Sequence, residues 1–196
     1  MIKSEKRKGN SKEEWRSAAE AETKCVEGSD LNIRRAAVGD AERIAEIYNW
    51  YVLHTTVTFE ITAVNPGEMR LRIERMLETH DWLVGEIAGR VIGYAYYGAF
   101  RSRAAYRRTV ESSVCLSPDA IGKGLGKLLY SAAIASATEK GFCEMIGVIA
   151  LPNAASVALH RTLGFQEVGV LRNVGYKFDR YIDTGIWQLS SRAPQG

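Results

Sequence analysis

Glycines alternate at positions 122, 124 and 126 in Ala120-Ile121-Gly122-Lys123-Gly124-Leu125-Gly126-Lys127, directly before the apolar run Leu128-Leu129-Tyr130. With side chains removed there, backbone N–H groups can close around an anion at the positive end of a helix, and phosphate is the natural guest. The same glycines could equally serve a tight turn. Two common phosphate motifs do not fit. A P-loop needs Gly-Lys-Ser/Thr after four intervening residues, and the dinucleotide fingerprint places its third glycine one residue later, in an N-terminal βαβ unit.

Three other positions could carry chemistry. Glu111 lies in Thr109-Val110-Glu111-Ser112-Ser113-Val114-Cys115-Leu116, a run of β-formers stopped by Pro118. It is either an edge charge or an inward carboxylate, which is costly to bury unless paired or used. His160 follows Leu159 on a helix-like segment and, read alone, is a satisfied core histidine or a surface one. Asn153, after Pro152, is placed to cap that helix. The three cysteines, Cys25, Cys115 and Cys143, and the three histidines show neither a disulfide framework nor metal-ligand spacing, so no metal is expected.

Around these residues the chain must supply strands and helices. Its 196 residues suit one core, and 46% hydrophobic with 25% charged residues is ordinary globular composition. No stretch reaches the roughly 18 uninterrupted apolar residues of a spanning helix, and no signal-peptide core appears, so a cytosolic location is expected. The net charge of +3 is small. Lys3, Lys6, Arg7 and Lys8 read as a solvated extension, and neither nucleic acid nor membrane is expected as a partner.

Residues 1–30 read as a charged tail, 31–191 as the domain and 192–196 as a short end. Leu31-Asn32-Ile33-Arg34 alternates like a strand, and Asp40 is expected to cap a helix carrying Ile44, Ile47, Tyr48 and Tyr51. Asn65-Pro66 opens a second helix with Met69, Ile73, Met76 and Leu77 as its apolar face. The runs 82–87 and 90–96 flank Ala88-Gly89 as a hairpin. The strand of Glu111, the glycine loop and a helix to Lys140 follow, with Gly141 as its cap. A strand from Met145 to Leu151, a helix from Asn153 and two final strands complete the order β-α-α-β-β-β-α-β-α-β-β. That order predicts an α/β fold with a central mixed β-sheet and helices on both faces.

With the order in place, Ile33 to Leu189 resembles the GNAT superfamily of acetyltransferases. Ile121-Gly122-Lys123-Gly124-Leu125-Gly126 is similar to its pyrophosphate loop, written Arg/Gln-x-x-Gly-x-Gly/Ala. Asn153-x-x-Ser156 with Leu159-His160-x-x-Leu163-Gly164-Phe165 is similar to its second cofactor segment. Within the superfamily the phosphinothricin and methionine sulfoximine acetyltransferases are the nearer match. The matching stretches are Thr56-Val57-Thr58-Phe59, Phe100-Arg101-Ser102-Arg103 with Tyr106, Thr109 to Val114, Leu151-Pro152-Asn153, Gly175-Tyr176-Lys177-Phe178 and Trp187-Gln188-Leu189. One departure stands out: Ile121 replaces the usual Arg or Gln and has no side-chain donor, leaving backbone amides, Lys123 and Lys127.

The resemblance implies direct acetyl transfer from acetyl-CoA to the amino group of a small L-amino acid or analogue. That reaction needs an unprotonated amine, a held thioester and donors for the oxyanion. Glu111 would face the acceptor amine as base, and His160 would be a second proton-transfer group or a partner of Glu111. The backbone of Val114, Cys115 and Leu116 would pair with the pantetheine arm, Asn153 and Ser156 would hold that arm, and residues 121–127, including Leu125, would hold the pyrophosphate. Arg101 and Arg103 would meet a carboxylate or phosphinate, since guanidinium pairs bidentately with both. Phe59, Tyr106 and Trp187 would wall the acceptor side chain. A homodimer also follows from the family likeness. Two other functions use the same fold: a protein N-terminus or polyamine as acceptor, which Arg101 and Arg103 disfavour, and a non-catalytic acyl-CoA-binding module, which the Glu111 and His160 motifs disfavour.

Overall fold

The computed structural model describes residues 31–191; the expectations for residues 1–30, including Cys25 and the basic cluster, and for 192–196 lie outside them. Seven strands and four longer helices alternate as β1 (Asn32–Arg35), α1 (Ala41–His54), α2 (Pro66–Leu77), β2 (Trp82–Ile87), β3 (Arg90–Ala99), β4 (Thr109–Leu116), α3 (Leu125–Glu139), β5 (Glu144–Leu151), α4 (Ala154–Thr162), β6 (Gln166–Lys177) and β7 (Arg180–Ser190). This matches the order expected from hydrophobic period and turn residues.

The strands form one sheet in the order β1-β2-β3-β4-β5-β7-β6. Every pairing is antiparallel except β4 with β5. Helices cover both faces. On one, Ile44, Ile47, Met69 and Ile73 of α1 and α2 pack with Trp82, Val84 and Tyr94. On the other, Leu129, Tyr130 and Ala133 of α3 pack with Tyr97, Val110, Met145, Phe165 and Trp187.

Local sequence sets the element ends. Asn65 Oδ1 accepts from the Glu68 N–H at 2.9 Å, with Pro66 at the first helical position, where a missing N–H costs nothing. Asp40 departs from expectation. It precedes α1, but its carboxylate accepts from the Ala37 N–H at 2.7 Å and pairs with Arg34 at 2.8 Å, closing a short 3-10 turn instead of capping the helix. No described helix is long and apolar enough to cross a membrane.

Candidate active site

The parallel pairing of β4 and β5 is short. It runs from Thr109↔Glu144 to Ser112↔Gly147 and stops there. Beyond it, β4 continues through Leu116 paired only with β3, and β5 continues through Leu151 paired only with β7. The sheet therefore forks. The facing edges, Ser113–Leu116 and Val148–Leu151, present backbone N–H and C=O groups that an extended amide-bearing chain can pair with, as a peptide adds to a sheet edge.

Each arm of the fork leads to a helix N-terminus. After β4 the chain turns through 118–120 into the glycine loop. Gly122 and Gly124 have φ of 82° and 75°, a left-handed conformation that other residues adopt at a cost, and a Cβ on either would meet open space. Conformation, not crowding, requires glycine there. Gly124 is the N-cap of α3 and has no side chain to cap it; its carbonyl accepts from the Lys127 N–H at 3.1 Å, and the first-turn N–H groups of Leu125 and Gly126 lie at the positive helix end. Lys123 is exposed, and Ile121 is 50% exposed beside them. After β5, Asn153 Oδ1 accepts from the Ser156 N–H at 3.0 Å and caps α4. Its amide NH2 is not used by that bond. Cradle, open edge and second helix end fit an elongated phosphorylated cofactor with amide groups along its length.

Alternation along β4 divides the other candidates between the two faces of the sheet. Glu111 faces α1 and α2 and lines a cavity of about 510 Å³ with Tyr48, Glu60, Met69, Arg72, Arg75, Met76, His80, Trp82, Tyr94 and Tyr96. Crowding by these walls raises the Glu111 carboxyl above its ordinary range, and Arg101 pulls it part of the way back. Arg101 therefore acts on Glu111; its guanidinium also lies 4.9 Å over the Phe100 ring. Arg103 is exposed, and its carbonyl caps the turn at Tyr106.

Ser112 faces the other way. Its hydroxyl lies 2.7 Å from that of Tyr130, which lies 3.3 Å from His160 Nε2. His160 Nδ1 is 2.8 Å from the Ser156 carbonyl, which can only accept, so Nδ1 carries the proton and Nε2 accepts from Tyr130. The ring is 5% exposed and fits because Gly147 lacks a side chain: a Cβ there would lie 2.5 Å from Nε2. Burial pushes the imidazole below its usual value. The expected partnership of His160 with Glu111 is thus corrected, because adjacent strand positions place them on opposite faces. His160 sits beneath the fork with Tyr130 as its partner.

The aromatic wall is also redrawn. Trp187 pairs with Gly147 in the row that contains Ser112, so its side chain shares the Ser112 face, and it is 3% exposed in the core under α3. It does not line the cavity. Phe59 packs over Gly175 of β6, while its neighbour Glu60 reaches the cavity. Tyr106 lies edge-on to Phe100, 5.7 Å between centroids, and is 40% exposed. Cys115 is paired to Tyr94 across the sheet, and burial pushes its thiol up to about 11, which leaves it protonated and unsuited to nucleophilic attack. Val114 and Leu116 pack toward the core under α3. Among the described residues no cluster of His, Cys, Asp or Glu could hold a metal.

Sequence reading missed Tyr48, Glu60, Arg72, Arg75 and Tyr96. Arg72 had a signal: it stands three residues after Met69 and four before Met76, on the apolar face of α2.

Comparison with known proteins agrees with this geometry. The acetyltransferase (GNAT) domain family matches residues 33–186. The chain belongs to the GNAT acetyltransferase family. Phosphinothricin N-acetyltransferase of Streptomyces viridochromogenes is 38% identical over 164 residues, 84% of this chain and 90% of that protein. The L-methionine sulfoximine/L-methionine sulfone acetyltransferase of Pseudomonas aeruginosa is 40% identical over 161 residues, covering 81% and 94%. The yncA acetyltransferase of Salmonella typhimurium, solved with its cofactor acetyl-CoA, superposes with a TM-score of 0.81 at 37% identity, covering 85% of this chain and 96% of that one. This GNAT chain is an acetyl-CoA-dependent N-acetyltransferase.

Proposed function

We propose that the protein acetylates the α-amino group of a small L-amino acid or analogue, of the phosphinothricin or methionine sulfoximine kind, by direct transfer with Glu111 as the base. The observation that carries this reading is that Glu111, its carboxyl raised, lines an open cleft on the strand that forms one arm of the fork and stays accessible to an incoming amine. Acetyl-CoA supplies the acyl group as a thioester. The edge of Val114, Cys115 and Leu116 lines up its pantetheine arm, with the Asn153 amide and Ser156 across the fork. Within the loop 121–127, the N–H groups of Gly122 to Gly126, with the Lys123 and Lys127 side chains, take the pyrophosphate; Ile121, whose N–H donates to the Pro118 carbonyl, supplies no side-chain donor. A backbone N–H of the open β4 edge polarises the carbonyl.

On the acceptor side, Glu111 takes the amine proton directly or through one water. Arg101 holds the acceptor's carboxylate two bonds from the amine; the reach of its charge to Glu111 supports this reading. Arg103 and Tyr106 serve the outer rim, and Phe59 carries Glu60 into place. His160 positions α4, and through it Asn153, from beneath the fork. A homodimer would cover the exposed Val168, Leu171, Val174, Tyr176, Phe178 and Tyr181 of the β6–β7 hairpin; sedimentation of the full chain tests that point. The acceptor reading is tested by coenzyme A release across a panel of L-amino acids, methionine sulfone, phosphinothricin, a polyamine and a peptide. Turnover confined to the polyamine or the peptide would overturn it.

A further inference from the structure

The connection from α1 to α2 runs through residues 55–65 without helix or strand. Its far end is tied back to α1, where the Asn49 amide donates to the Val64 carbonyl and accepts from the Val64 N–H, each at 2.8 Å. Its middle is held from the opposite end of the sequence. The Lys177 ammonium of β6 donates to the Thr58 carbonyl at 2.8 Å, and the Phe59 ring packs where a side chain on Gly175 would stand. Period two puts Gly175 and Lys177 on the buried side of β6 and Tyr176 outside. The stretches Thr56 to Phe59 and Gly175 to Phe178 thus clasp one another across the fold.

Each link of the clasp has one direction. The Tyr48 hydroxyl donates to Glu60 Oε1 at 3.0 Å, so its single proton is used and the Thr58 hydroxyl, 2.8 Å away, must donate to it. Thr58 Oγ1 in turn accepts from the Glu60 N–H at 3.3 Å, and Glu60 accepts from Arg72 Nη1 at 2.6 Å. Tyr48, Glu60 and Arg72 all line the Glu111 cavity. Lys177 is 3% exposed and reaches that wall through Thr58. A buried ammonium is costly unless it is answered. Here the Thr58 carbonyl, the charge of Glu60 and the Phe178 ring, 5.1 Å away, answer it. We propose that Lys177 is a positioning residue: through the Thr58 carbonyl it fixes the 58–60 wall of the Glu111 cavity and so sets the affinity for the acceptor. The second half rests on the acceptor reading above; the first stands on the contacts alone.

The test uses two variants. Lys177→Met keeps the length and apolar stem of the side chain and removes its donor, while Thr58→Val leaves Lys177 and the carbonyl in place and removes the next link. With L-methionine sulfone and L-phosphinothricin as acceptors, each variant should raise the acceptor KM roughly fivefold, the weight of one hydrogen bond, with kcat and the KM for acetyl-CoA within about twofold. The double variant should be no worse than the poorer single, because both cut one chain of contacts. A merely structural role would lower the melting temperature without separating the two KM values. Amide hydrogen exchange gives a readout that needs no turnover: residues 55–60 should exchange faster in Lys177→Met than in the wild type, and the glycine loop should not. If the wild type acetylates neither compound nor any other L-amino acid, the acceptor reading falls, and exchange alone decides the clasp. An acceptor KM unmoved in both variants, an equal rise in both KM values, or unchanged exchange at residues 55–60 would overturn the proposal.

Discussion

Glu111 and His160 lie on opposite faces of the sheet: Glu111 lines the cavity beneath α1 and α2, and His160 is buried against Tyr130 under α3. With Glu111 proposed as base and His160 as a support of α4, their losses should be independent. Glu111→Gln should lower turnover by about 10²- to 10⁴-fold, the usual loss of a general base. His160→Ala should add its own loss through α4, and the double variant should show close to the product of the two. A double variant no worse than the poorer single would mean that one unit has been split, contrary to the geometry.

The pH profile gives an independent view of Glu111. Its carboxyl is raised by burial, so the base form appears only as pH climbs through that raised value. kcat/KM should fall on the acid side at a pH above the ordinary carboxylate range, and Glu111→Gln should change the shape of that limb. Arg101→Ala removes the charge that lowers this carboxyl, so the limb should move to higher pH.

His160 carries a prediction for stability. Its folded pKa is depressed, so between that value and the unfolded value near 6.5 the unfolded chain binds the proton and the folded chain does not. Stability should fall as pH drops through this window. Thermal unfolding of His160→Gln should show a shallower loss as pH falls below about 6.5 than the wild type. Equal slopes would mean that the ring is protonated as readily in the fold as in the unfolded chain.

The glycine loop can be tested by calorimetry with acetyl-CoA. Gly124→Val places a β-branched residue at φ 75°, a strain of about 1–2 kcal/mol, and binding should weaken by roughly tenfold. Ile121→Arg restores a donor at an exposed position and should hold or tighten affinity. Normal binding by Gly124→Val would show that the loop is only a turn.

Much of this was legible in the sequence. Period, caps and turn residues gave every strand and helix in order, and Asn65-Pro66 and Asn153 marked two helix starts at the residue. What remained hidden depends on which face of a strand meets which layer. A period of two says that Glu111 and Ser112 diverge, but not that Trp187 shares the Ser112 face, which follows from the Ser112–Gly147–Trp187 row. The fork is likewise invisible, since β4 and β5 look like strands throughout and only the register shows where pairing ends. Glu60 and Arg72 meet across 12 positions of chain through a loop whose course no local pattern fixes.

Transfer of an acetyl group from acetyl-CoA to the α-amine of a small amino acid, with Glu111 as base, leaves two products that can be measured together. L-Methionine sulfone and L-phosphinothricin are incubated with acetyl-CoA and the wild-type protein and followed by mass spectrometry. The expected product carries a single acetyl group on the α-nitrogen, forms with an equal amount of free coenzyme A, and appears at a rate at least about 10²-fold lower in Glu111→Gln. Absence of any N-acetyl product from these and the other L-amino acids, or an undiminished rate in Glu111→Gln, would contradict that transfer.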